Sequence, residues 1–248
     1  MKTHRFFSVF LLLILAVSLL TGPASAAEVP DPAIQAKAAL LVDANTGRMV
    51  YGKNEHEELY PASLTKIMTA LLTLEAVDSG QLSMDQPITV TESALEGLAA
   101  DGSTAGIRAG EVLTVEQLLY CMMLVSANEA ACILAETVAG SQDAFVALMN
   151  QRAQELGCTG TNFTCAHGLF DYGNVSTAQD LAKIAAACAA NQTFAQVAGT
   201  ASYVLPATNL RKAEHTISSS NSLMNSESAN YREYVRSVSY THLTLPTT

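Results

Sequence analysis

At 248 residues the chain is long enough for one sizeable domain, or a main domain with a small appendage. Hydrophobic residues make up 49% and charged ones 15%, an ordinary balance for a packed globular protein. The formal charge of −10 argues against non-specific binding to nucleic acid or anionic lipid through a basic face, and against nucleic acid as a partner.

Residues 1–26 read as a secretory signal. Lys2, His4 and Arg5 form a basic start, Phe6 to Leu20 an apolar run, and Ala24-Ser25-Ala26 a small-x-small cleavage pattern. The run is short for a membrane span and Gly22-Pro23 breaks it, so the expectation is an exported, extracytoplasmic protein starting at Ala27. Five cysteines in an exported chain leave at least one unpaired. Cys121, Cys132 and Cys188 lie in helical apolar patterns, where a thiol is a small core hydrophobe. Cys158 and Cys165 are close enough in sequence to bridge, with nothing that requires it. No CxxC or His-rich spacing is present, so no metal site is expected.

Ala38 to Tyr51 predicts a β-hairpin, with strands at 40–42 and 49–51 and turn residues Asn45-Thr46-Gly47. A helix follows from about Ser63 to Val77, stopping near Gly80. Ile88 to Val90 suits a short strand, Ser93 to Leu98 a helical turn, and Asp101 to Gly110 a loop. Thr114 and Gln117 have the spacing of a capping box that opens a helix to about Val125. Further helices are expected over Asn128–Val138, from Ser141 to Leu156-Gly157, and from Thr177 to about Ala190. Ser202 to Pro206 and His215 to Ser218 could be strands. This order suits an α+β domain whose first and last strands share one sheet.

Two short patterns carry chemistry. Ser63 and Lys66 stand three apart on one helical face, so the lysine amine can reach the serine hydroxyl. Serine is a poor nucleophile until a base takes its proton, and lysine can be that base once desolvation or a nearby cation lowers its pKa. Alone, the pair better suits an N-terminal serine on an amphipathic helix beside a snorkelling lysine, since Ser-x-x-Lys occurs often by chance. The second pattern, Ser126-Ala127-Asn128, falls at the junction of two predicted helices. Ser126 could relay a proton, and the Asn128 amide could accept from Lys66 while donating to a substrate carbonyl. Helix capping explains that trio equally well in isolation.

Ser-x-x-Lys followed by Ser-x-Asn in an exported chain is the set found in class A β-lactamases and penicillin-binding proteins. Tyr60-Pro61-Ala62-Ser63-Leu64-Thr65-Lys66, Gly110-Glu111-Val112-Leu113-Thr114-Val115, Ser126-Ala127-Asn128-Glu129 and His167-Gly168-Leu169 with Ser176-Thr177-Ala178 resemble the serine-type D-alanyl-D-alanine carboxypeptidases, the low-molecular-mass penicillin-binding proteins. The resemblance covers roughly Ala36 to Arg236. It implies a serine β-lactamase/penicillin-binding-protein-like domain, a helical subdomain plus antiparallel sheet. It also implies Ser63 as nucleophile, Lys66 as base, Ser126 as proton relay and Asn128 as substrate-binding residue. The implied substrate is the peptidoglycan stem peptide, with β-lactam antibiotics as ligands and no cofactor. His167 reads as a structural residue in a loop beside the site. Where the family often has Asn-Pro before His-Gly-Leu, this chain has Cys165-Ala166, a departure that touches the loop's conformation.

The family's third element, Lys-Thr-Gly on a closing strand, occurs nowhere in the sequence. It would be expected after Tyr231 to Arg236. Val238 to Thr247 resembles the translation of a transposase adapter used in sequencing libraries, so genuine coding is expected to stop at about Arg236. The organisation expected is a signal peptide over 1–26, a carboxypeptidase domain without its C-terminal strands over 27–236, and a non-native tail over 237–248. Loss of an oxyanion-hole donor costs about a hundred- to a thousandfold in rate, so the polypeptide as written is expected to turn over little substrate. Membrane association of a full-length protein is left open. A class A β-lactamase would need a Glu-x-x-Leu-Asn pattern after Ser126, and neither Glu136 nor Glu155 stands in one. A non-catalytic wall-binding module would have no use for the Ser63–Lys66 pair.

Overall fold

The computed structural model describes residues 33–44, 46–99, 101–222 and 224. Contacts divide the chain into Met1–Ala36 and Lys37–Thr248, and every element named below belongs to the second unit. The signal segment and the tail expected from the sequence lie outside the described residues.

β1 (Ala39–Val42) and β2 (Met49–Lys53) pair antiparallel as the expected hairpin, with a register shift between Leu41 and Val42. Asp43 Oδ1 accepts from the Thr46 N–H at 2.8 Å and the Thr46 hydroxyl at 2.9 Å, an Asx-type turn; Asn45 lies outside the described residues.

A single 3-10 turn, Ala62–Leu64, leads into α1 (Thr65–Asp78). Ser63 therefore stands in the turn before the helix, not at the helix start its spacing suggests. The reason is local: Ala62 has φ +47, in the left-handed region, so α geometry begins only after it. Ten of the fourteen α1 residues are buried, which marks a core helix covered on all sides. Around it pack α2 (Val115–Val125), α3 (Asn128–Ala139), α4 (Gln142–Glu155), α5 (Ala178–Ala189) and α6 (Gln192–Ala198). Met68 and Leu71 from α1 join Leu118, Met122, Leu134, Phe145 and Ile184 in one buried cluster.

Local chemistry sets most of these boundaries. Thr114 and Gln117 form the full capping box of α2, with the Gln117 N–H on Thr114 Oγ1 at 3.2 Å and the Thr114 N–H on Gln117 Oε1 at 2.9 Å. Ser141 and Thr177 cap α4 and α5 through their hydroxyls. Asn191 caps α6 through its amide oxygen, which accepts from the Phe194 N–H at 3.0 Å; the sequence alone did not show this helix.

Strands β3 (Pro87–Thr89) and β4 (Val112–Thr114) pair antiparallel, as do β5 (Ser202–Leu205) and β6 (His215–Ser218). The class is α+β, but among the described residues the three pairs are separate two-stranded sheets. The expected sheet shared by the first and last strands is not formed there. The last hairpin is held to α2 instead, where Tyr203 stacks on Tyr120 with centroids 3.9 Å apart and planes 11° off parallel.

Candidate active site

The turn before α1 and the junction between α2 and α3 bring Ser63, Lys66, Ser126 and Asn128 together. Ser63 Oγ accepts from Lys66 Nζ at 3.2 Å and from Ser126 Oγ at 3.0 Å. Lys66 has no exposed surface, and its Nζ donates to three oxygens: Ser63 Oγ, Asn128 Oδ1 at 2.8 Å and the His167 carbonyl at 2.6 Å. These three contacts match the three protons of an ammonium. Burial brings the lysine down from 10.5 to about 8, against the opposite pull of Cys165, Cys132 and Glu129. A fraction of the amine is therefore neutral near pH 7, with a hydroxyl proton in reach.

Capping does not account for Ser126 and Asn128. Ser126 follows α2 in the left-handed conformation, φ +58 and ψ +31, and its hydroxyl points to Ser63. Ala127 holds the N-cap position of α3 without a side-chain cap bond, and the Asn128 side chain turns to Lys66. Ala62 and Ser126 are thus two non-glycine residues at positive φ in or next to the site. Such backbone costs about 1 kcal/mol each and persists only where surrounding structure holds it.

The loop from Cys165 to Asn174 forms the floor. The Ala166 carbonyl accepts from Thr69 Oγ1 at 2.7 Å, and Asn174 Nδ2 donates to Thr65 Oγ1 at 3.1 Å, so both ends are tied to α1. Gly168 has φ +83, and a Cβ there would lie 1.9 Å from the Ala62 carbonyl oxygen. Only glycine lets this loop lie against the turn that carries Ser63. The Cys165-Ala166 departure is accommodated: Cys165 Sγ accepts from the Gly168 N–H at 3.2 Å, and Ala166 is buried. His167 enters the site through its main chain. Its Nδ1 accepts from the Leu169 N–H at 3.0 Å, and burial, then Lys66, push the ring down to about 4, so it is neutral at pH 7.

Glu129, absent from the sequence reading as a site residue, holds the opposite wall. Its Oε1 accepts from Thr104 Oγ1 and the Ala105 N–H, both at 2.7 Å, while the Ser103 carbonyl accepts from the Asn128 N–H at 2.9 Å. A Cβ on Gly102 would meet Asn128 Nδ2 at 2.7 Å, so the same loop bounds the amide. A cavity of about 240 Å³ lies between this loop and Asn128, lined by Leu95, Leu98 and Ile107 among others. All five cysteines are free thiols. Cys121, Cys132 and Cys188 are buried, and burial pushes each up to about 12, as suits inert core thiols.

A hydroxyl flanked by a buried, partly neutral amine and a second hydroxyl can attack a carbonyl carbon and pass its proton onward. The model of the D-alanyl-D-alanine carboxypeptidases, peptidase family S11, matches residues 24–234. The chain belongs to this family. Within it, D-alanyl-D-alanine carboxypeptidase DacF of Bacillus subtilis is 36% identical over 194 residues, 76% of this chain and 49% of the relative. The chain spans about half the length of the curated relatives it matches. Among solved structures, penicillin-binding protein 6B of Escherichia coli has a TM-score of 0.74 at 29% identity, over 83% of this chain and 64% of that one. A D-alanyl-D-alanine carboxypeptidase of Mycobacterium tuberculosis has a TM-score of 0.71 at 31% identity, over 80% and 72%. The S11 fold, helices with small antiparallel sheets, is therefore the penicillin-binding-protein fold expected from the motifs.

Proposed function

We propose that the protein is a serine-type D-alanyl-D-alanine carboxypeptidase acting on peptidoglycan stem peptides. Lys66 carries the reading: a wholly buried amine brought to about 8, 3.2 Å from a serine hydroxyl. In its neutral form Lys66 takes the Ser63 proton as Oγ bonds to the carbonyl carbon between the last two D-alanines. Ser126, 3.0 Å from Ser63 Oγ, relays that proton from the Lys66 ammonium to the leaving nitrogen as the C–N bond breaks and D-alanine departs, which returns Lys66 to its neutral form. Water then cleaves the Ser63 ester, with Lys66 again as base. Asn128 fixes the lysine through Oδ1 and offers Nδ2 to the carbonyl on the acyl side. Penicillins would acylate Ser63 by the same attack and leave slowly. The substrate places the enzyme in the cell envelope, in keeping with the leader read over residues 1–26.

A labelled penicillin run against the full-length protein tests the reading. Stable labelling that disappears in Ser63→Ala supports it. Rapid drug turnover indicates a β-lactamase, and no label at all indicates a binding module.

A further inference from the structure

Beside Ser63 lies a cluster of rings that the chemistry above leaves unused. Phe170 is 66% exposed and Tyr172 80%, values far above those of core aromatics. Phe170 meets Tyr60 edge to face at 5.0 Å and Tyr172 at 5.0 Å, with interplanar angles of 71° and 75°. Clustered exposed rings of this kind mark a contact site.

The rings sit on backbone clamped to the nucleophile. Tyr60 is three residues before Ser63, which keeps their Cα atoms within about 11 Å. Phe170 is two residues beyond Gly168, itself packed on the Ala62 carbonyl. Leu59 and Ser176 exchange two backbone hydrogen bonds, at 2.8 and 2.9 Å, tying the two ring-bearing segments together.

We infer that Tyr60, Phe170 and Tyr172 form an acyl-side subsite that takes the hydrocarbon or ring portion of the group that stays on Ser63. The inference rests on the proposed acylation of Ser63. The leaving group in that reaction is a single D-alanine, short and bearing a carboxylate. Three neutral rings offer it no counter-charge, and exposed Asp171, whose Oδ1 accepts from the Gly173 N–H at 2.7 Å, sets a second carboxyl group among them. The acyl side is the long side of the substrate, and its methylenes are what an aromatic surface holds.

The full-length protein and its Phe170→Ser, Tyr172→Ser and double variants would be acylated with two probes. One is a penicillin with a phenylacetyl side chain, the other the bare 6-amino penicillin nucleus. Both side chains are exposed, so the variants keep the fold. The subsite predicts that the second-order acylation rate falls about tenfold in the double variant for the phenylacetyl compound and stays within about twofold for the bare nucleus. An equal fall for both probes, or no change for either, overturns the subsite. Failure of both probes to acylate the unsubstituted protein overturns the Ser63 reading itself, a separate result.

Discussion

The shortest contact of the Lys66 amine is with main chain: Nζ lies 2.6 Å from the His167 carbonyl oxygen, 101 positions along the sequence. This bond joins α1, which carries Lys66, to the loop beneath it. It also fixes the lysine where it reaches Ser63 and Asn128 at once.

Protonation of Lys66 should govern both rate and stability. The amine must be neutral to accept the serine proton, so kcat/KM for acylation is expected to rise with pH and level off above about 8. For stability, the unfolded chain holds this proton up to about 10.5 and the folded chain releases it at about 8. The unfolded state therefore binds more protons between those values, and the Lys66 contribution to stability increases with pH across that window, by roughly 3 kcal/mol in total. Urea unfolding of the protein and Lys66→Met at pH 7 and pH 10 checks the sign: the variant should lack this rise.

Ser126 combines a hydroxyl contact with strained backbone, and substitution separates the two. Ser126→Ala and Ser126→Gly both remove the 3.0 Å contact with Ser63, and both should lower acylation by about a hundredfold. Only glycine relaxes φ +58, so Ser126→Gly should be more stable than Ser126→Ala by about 1 kcal/mol. Denaturation midpoints of the two variants measure the difference directly.

Gly168→Ala should disturb the site from below. Its Cβ would stand 1.9 Å from the Ala62 carbonyl, with further overlap at Thr65 Oγ1. Gly110→Ala is the control, since Gly110 has a similar φ of +76 and nothing within 4 Å of the added carbon. The control is expected to lose about 1 kcal/mol from backbone strain alone. Gly168→Ala should lose at least about 2 kcal/mol more and most of its acylation.

Glu129→Gln should move the acid limb of the acylation profile to lower pH. The groups facing Lys66 are Cys165, Cys132, Glu129 and His167, and Glu129 is the carboxylate among them. Neutralising it removes an interaction that favours the ammonium, while glutamine can still accept from Thr104 and Ala105. Glu129→Ala, which lacks that acceptor, should in addition raise KM as loop 103–107 loosens around Asn128. A pH–rate series on both variants distinguishes charge from scaffold.

Much of the fold was legible where side chains signal their own backbone. Thr114 with Gln117, Ser141 and Thr177 each announce a helix start, and the structure has one at each. The spacing of Ser63 to Lys66 was equally readable, although the 3-10 turn was not, because its cause is the left-handed backbone of Ala62. α6 is hard to see in the sequence because seven residues show too little periodicity, though Asn191 before Phe194 and Val197 is a usable cap signal. The floor of the site was the least legible part. The His167 and Ala166 carbonyls act through main chain, which any residue supplies, and their partners lie about a hundred positions away. Glu129 was visible only as the neighbour of Asn128, since its partners are backbone and a threonine in a loop. The seat of the last hairpin on α2 was also hidden, since the Tyr120–Tyr203 stack is a contact that no local pattern marks.

The claim on which the rest depends is that Ser63 is the acylated nucleophile. Peptide mapping after brief exposure of the full-length protein to a penicillin tests it. Cleavage after Lys53 and Lys66 isolates residues 54–66, in which Ser63 is the sole serine. The predicted result is one added penicillin mass on that peptide, absent in Ser63→Ala. An adduct on any other peptide, or persistence of the label in Ser63→Ala, contradicts the account.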